Sequence, residues 1–231
     1  EYFNRFSTEK AAPSDIKAGF VGLAVNGSGS VPASDSVYDD YYKLCIEASI
    51  PVLIFVGTTG LGAGLPGGNG ILLDSCHPRH LDMVAARNPK LRIVAARPGW
   101  PWQTETIAVL MHKRNIWYEL HGWSPKYFAP DLKHDIARRL QDRIMFGGDY
   151  PLYTFERLTT EWKAEGYSEA ILEKVFHKNA EIRRNLQRKD DDWDRIENGI
   201  HVRTGLYADD NLDLVIGTCT SCHSSKLIAQ N

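Results

Sequence analysis

The chain has 231 residues and a mass of 26.0 kDa, enough for one large domain with a substantial core. Hydrophobic residues make up 43% and charged residues 24%, as in globular proteins, and the net charge of −2 argues against a protein built mainly to bind nucleic acid or an anionic membrane. Four cysteines do not make a disulfide framework, and no apolar run is long enough to span a bilayer.

Strand-like and helix-like runs alternate along the chain. Gly19 to Val25 predicts a buried strand: short, apolar and bounded by turn residues. Ser36 to Ser49 follows as a helix, with Tyr38, Tyr41, Tyr42, Cys45 and Ile46 spaced for one face. Pro51 to Val56 is the next strand, and a glycine-rich loop, Gly57 to Gly70, comes after it. A helix from Pro78 to about Asn88, a strand from Leu91 to Ala96 and a helix from Thr104 to Lys113 continue the pattern. Then come a strand at Asn115 to Leu120, a helix at Asp131 to Asp142 and a strand at Arg143 to Gly147. Helices are predicted over Phe155 to Glu165, Ser168 to His177 and Asn179 to Leu186. Lys189 to Trp193 reads as a charged linker, and Asp209 to Gly217 as a short amphipathic helix in a C-terminal extension of mostly helical character.

Alternating strands and helices imply βα units on a parallel sheet. Five such units suit either an open doubly wound sheet or the C-terminal part of a (β/α)8 TIM barrel. For the barrel, three further units, about 100 residues at roughly 30 each, are expected upstream of Glu1.

In both architectures reactive residues gather at the C-terminal ends of the strands. Asn26, Arg97, His121 and Asp149 fall there, and Glu119 shares a strand face with His121. Asp149, in Phe146-Gly-Gly-Asp-Tyr-Pro151, suits a metal ligand or a proton acceptor, and equally a helix cap or an ion-pair partner of Arg97. Gly62, Gly64 and Gly67 match G-x-G-x-x-G, but the run does not pass directly from strand to helix, so a mobile or substrate-facing loop is the better reading. His77 and His80 read as a surface pair, His112, His134 and His177 as solvated helix residues, and Cys45 and Cys76 as small core residues.

Cys219-x-x-Cys222-His223 has the pattern of covalent haem attachment, with two thioethers to a haem c and the histidine as proximal ligand. The eight residues after His223 contain neither Met nor His to supply a second axial ligand.

Several segments together, Leu81 to Ala86, Ile93 to Trp102, His121 to Phe128, Met145 to Leu152 and Phe176 to Ala180, resemble the amidohydrolase family related to aminocarboxymuconate-semialdehyde decarboxylase. The glycine-rich stretch Gly57 to Gly70 fits the same group, and the resemblance spans residues 16–188. It implies a partial TIM barrel over residues 1–188, with a divalent metal, zinc by expectation, at the C-terminal face. It also implies hydrolysis or non-oxidative decarboxylation of a small carboxylated or aromatic substrate. Asp149 matches the family's Asp after the last strand, a metal ligand or general base there. At two family histidine positions this chain has Phe55 and Arg97, neither an ordinary metal ligand. His121 is an alternative imidazole, and Arg97 suits either a bidentate clamp on a substrate carboxylate or an ion pair with Asp149. Residues 193–231 resemble the start of a monohaem cytochrome c domain, which implies electron transfer with a redox partner. The barrel resemblance implies a cytoplasmic protein and the haem motif a periplasmic one.

Overall fold

The computed structural model describes residues 22–27 and 31–181, together with the backbone of three short strands at 206–208, 214–216 and 226–228. Five strands carry the architecture: β1 (Gly22–Val25), β2 (Val52–Phe55), β3 (Ile93–Ala96), β4 (Ile116–Glu119) and β5 (Ile144–Met145). They lie side by side in chain order, each parallel to the next, with Ile54 opposite Ala95 and Ala95 opposite Tyr118. A doubly wound sheet must reverse its strand order at a switch point. This order never reverses, so the sheet is the wall of a (β/α)8 barrel, an arc of five units.

Among the described residues the α-helices are α1 (Asp39–Glu47), α2 (Pro78–Arg87), α3 (Gln103–His112), α4 (Pro130–Ile136), α5 (Phe155–Ala164) and α6 (Glu169–Glu173). Strand residues alternate between faces. Val52, Ile54, Ile93, Ala95, Ile116, Tyr118 and Ile144 belong to the large core that the helices cover. Leu53, Val94, Ala96 and Met145 form a smaller cluster with Phe55 and Trp117, on the face that points to the barrel interior. In α2, Leu81, Val84 and Ala85 are buried, the i, i+3, i+4 stripe of a helix lying on a sheet. Pro78 starts that helix at a position where no N–H is needed, and the His77 side chain accepts the Arg79 N–H. In α3 the stripe is Gln103, Thr106, Ile107 and Leu110, and in α5 it is Leu158 and Trp162.

The end of the wall opposite the site is fastened by polar side chains. Asn115 Nδ2 donates to the carbonyls of Leu91 and Asn88, at 3.1 and 3.2 Å. Arg143 Nη1 donates to those of Leu110 and Lys113, at 2.6 and 2.8 Å. Buried Asn179 donates to Gln141 and Ile144, at 2.8 and 2.7 Å.

α4 and β5 are among the elements that end earlier than the sequence predicts. α4 stops at Ile136 because the Leu140 N–H bonds to Asp135 O, five residues back, and the α-helical register is lost. β5 stops at Met145 because the Phe146 N–H turns to Val175 O at 2.8 Å, in a π-helical turn over Lys174–Lys178 that follows α6. The C-terminal extension corrects one expectation. Leu214–Ile216, predicted as helix, is a strand (β7), antiparallel to β6 (Leu206–Ala208), in keeping with its β-branched Val and Ile. A further strand, β8 (Lys226–Ile228), runs antiparallel to β1. The linker at Lys189 to Trp193 lies outside the described residues, as do Cys219, Cys222 and His223. No helix among the described residues is long and apolar enough to cross a membrane.

Candidate active site

At the C-terminal ends of β3, β4 and β5 the chain places Arg97, then Glu119 and His121, then Asp149. Arg97 and Asp149 both have left-handed backbone conformations, with φ of 74° and 57°. Such a conformation costs a non-glycine residue of order 1 kcal/mol or more and persists where the surroundings fix it, as at functional sites. Glu119 and His121 have no solvent exposure and Asp149 has 3%. Asp149 stands beside the turn after His121, since a Cβ on Gly122 would lie 3.1 Å from its Oδ2.

His121 is engaged through both ring nitrogens. Nδ1 contacts Glu119 Oε2, and Nε2 faces Arg97 Nε at 3.4 Å. A guanidinium can only donate, so Nε2 offers its lone pair and the imidazole proton sits on Nδ1, facing Glu119. Burial pushes the Glu119 carboxyl well above the usual carboxylate range, and the charge of Asp149 adds to this; a backbone hydrogen bond at His121 and the Arg97 charge pull the other way. Burial, then Arg97, pushes His121 well below its ordinary value. Both shifts favour a neutral pair. Glu119 Oε1 is buried without a hydrogen-bond partner in the structure, and it occupies the space where Gly147 has no Cβ.

Phe55 closes the inner side. The Arg97 guanidinium carbon lies 5.2 Å from its ring centroid, and the His121 ring meets it edge-on at 5.7 Å between centroids. At the rim, half-exposed Trp100 leans on Trp123 with centroids 6.1 Å apart. The glycine-rich loop is tied down at its base: Gly57 N donates to Cys76 O at 2.9 Å and Thr58 N to Trp100 O at 2.7 Å. A Cβ on Gly57 would fall 2.7 Å from Gly99 Cα, so only glycine allows the two loops to approach this closely.

Among the described residues, no three His, Cys, Asp or Glu side chains are grouped to hold a metal ion. The one imidazole at the site spends its outward lone pair on a guanidinium, and Phe55 offers no donor atom. These residues do not fit a divalent metal centre. Any centre that includes Asp149 has to take its other ligands from outside them.

Arg97, His121 and Asp149 thus come to one end of the barrel wall, as the sequence predicts. Glu119 is a further member. Sequence pattern puts it on the strand face of His121, but its complete burial and its contact with the imidazole appear only in three dimensions. His77 and His80, read as a surface pair, are both half-buried. His80 hydrogen-bonds Ser34 Oγ at 2.7 Å, and His77 packs on Trp102. His112 and His134 are exposed, whereas His177 is half-buried in the π-helical turn. Cys45 and Cys76 are buried thiols outside any disulfide, and burial pushes Cys45 up to about 12.

A parallel barrel wall with a buried polar cluster at its C-terminal ends is the ground plan of TIM-barrel enzymes. Residues 10–181 match the amidohydrolase family model, and the chain belongs to that family. An uncharacterised TIM-barrel protein from Bordetella bronchiseptica is 23% identical, with a TM-score of 0.61 over 71% of this chain and 58% of that one. A 2,6-dihydroxybenzoate decarboxylase from Rhizobium is 16% identical, with a TM-score of 0.60 over 80% of this chain and 69% of that one. A 5-carboxyvanillate decarboxylase from Novosphingobium aromaticivorans, solved with manganese and 4-hydroxy-3-methoxy-5-nitrobenzoic acid, is 17% identical, with a TM-score of 0.57 over 76% of this chain and 60% of that one. The chain therefore spans less than two thirds of the length of the first and third of these structures. No protein of curated function matches the sequence.

Proposed function

We propose that the chain carries the C-terminal half of an amidohydrolase-type active site, acting as a hydrolase or non-oxidative decarboxylase on a small carboxylated or aromatic substrate. The observation that carries this reading is the buried cluster of Arg97, Glu119, His121 and Asp149 at the strand ends. Decarboxylation of an aromatic acid breaks the bond between ring and carboxylate, leaves its electron pair on the ring carbon and needs a proton there. Hydrolysis needs the reverse, removal of a proton from water. Asp149 is the residue proposed for either transfer, with His121 and Arg97 beside it. Decarboxylases of hydroxylated benzoates among the structures of the same fold favour the first chemistry.

The sequence resemblance also implies a divalent metal bound by Asp149, but the described residues do not fit one. The test is incubation with 2,6-dihydroxybenzoate and with 5-carboxyvanillate, followed by chromatography for the decarboxylated phenols. Product that disappears in Asp149→Asn supports the proposal. Absence of any product, together with absence of binding of either acid, overturns it.

The Cys219-x-x-Cys222-His223 motif favours a second reading: a c-type haem electron-transfer protein with a redox partner and a non-catalytic barrel module. A haem absorption band that stays with the denatured protein supports that reading. Purified chain from a haem-ligating host that lacks the band overturns it.

A further inference from the structure

Arg97, Phe55 and His121 meet in one fixed arrangement at the strand ends. Arg97 is held from two sides: its Nε faces His121 Nε2 at 3.4 Å, and the guanidinium lies over Phe55. A guanidinium fixed through Nε keeps its two Nη groups as the fork that matches a carboxylate. Stacking on an aromatic face holds the plane of that fork and removes water from one side of it. His121 is fixed in turn by its contact with Glu119 and by the edge of Phe55. With one proton on Nδ1 of His121 and a second on the Glu119 carboxyl, the pair has no net charge, so it orients the cation without cancelling its charge. A cation in this place does for a carboxylate what a divalent metal does: it holds it and offsets its charge.

We propose that Arg97, positioned by His121 and Phe55, is a metal-free carboxylate receptor at the ends of β3 and β4. The inference rests on the proposed function for its ligand class, a carboxylated arene.

Isothermal titration of the 231-residue chain with 2,6-dihydroxybenzoate tests it, after dialysis against EDTA and again with added manganese chloride. Resorcinol, the same ring without the carboxylate, is the control. The acid is expected to bind with the same Kd in both buffers, and resorcinol at least about tenfold more weakly. Arg97→Met is expected to lower the affinity for the acid about 100-fold and Arg97→Lys about tenfold, because Lys keeps the charge but not the fork. His121→Leu is expected to weaken the acid about tenfold and leave resorcinol unchanged, while His121→Gln, which restores an acceptor, recovers most of the loss. A purely structural role for His121 would move both ligands together. Binding that requires manganese, or that Arg97→Met leaves intact, overturns the receptor and leaves the proposed function standing. If neither ligand binds in either buffer, the proposed function falls and this inference with it. The comparison of the two buffers uses the unaltered protein, so it holds even if a variant misfolds.

Discussion

Gly147 is the residue with least room at the site. A Cβ there would overlap Glu119 Oε1 and come 2.7 Å from the His121 Cβ. Gly147→Ala is expected to destabilise the fold by about 1–3 kcal/mol, the usual cost of overpacking, read as a lower denaturant midpoint with unchanged m-value. Glu119 and His121 also make opposite demands on pH. With its folded pKa raised, Glu119 keeps a proton that the unfolded chain gives up above about 4.5, so its contribution falls as pH rises. With its folded pKa lowered, His121 stays neutral where the unfolded chain takes up a proton below about 6.5, so its contribution falls as pH falls. Half-buried His80, also lowered by burial, adds to the second slope. Between pH 4.5 and 6.5 the two therefore oppose each other. His121→Gln is expected to leave stability falling with pH across that window, relative to Glu119→Gln, whose stability should rise. Thermal melts of both variants from pH 4 to pH 7 check the sign. Of this site, Arg97, His121 and Asp149 were legible in the sequence because strand ends can be read from pattern. The role of Glu119 was not, since burial depends on which loops fold over it.

Helix boundaries were legible where a capping side chain or a proline marks them. α2 and α5 begin at Pro78 and Phe155 as the sequence predicts, and the structure shows the His77 and Thr154 side chains capping them. Thr154→Ala removes the acceptor for the Arg157 N–H and is expected to cost about 1 kcal/mol in urea unfolding. The early ends of α4 and β5 were not legible, because backbone groups far along the chain set them. Asn179 secures the second of these places, donating to Ile144 O just before β5 leaves the sheet. Asn179→Ala leaves that carbonyl and Gln141 O without this donor in a buried setting. A loss of about 1–3 kcal/mol, with faster amide exchange at Ile144 and Met145, is the expected outcome.

At the scale of the whole molecule, pattern alone left two architectures open, and strand order separated them. Alternation of strand and helix is common to a barrel and a doubly wound sheet. The order in which strands lie side by side depends on the hand and placement of each crossover, which periodicity does not encode. The described residues also make a prediction about metals. An ion that binds the folded chain and not the unfolded one stabilises the fold, so its removal lowers the melting temperature. Since the described residues hold no group of metal ligands, dialysis against EDTA is expected to leave the melting temperature unchanged. A drop restored by manganese would show that ligands outside these residues complete a centre.

The hydrogen bond from Gly57 N to Cys76 O, with Thr58 N anchored to Trp100 O, has an evolutionary consequence. It makes the segment between Gly57 and Cys76 an Ω-shaped cassette whose two ends meet on fixed backbone. Its length and composition can drift without moving either end, so descendants of this protein can exchange the cassette to explore new substrates while inheriting the strand-end cluster unaltered.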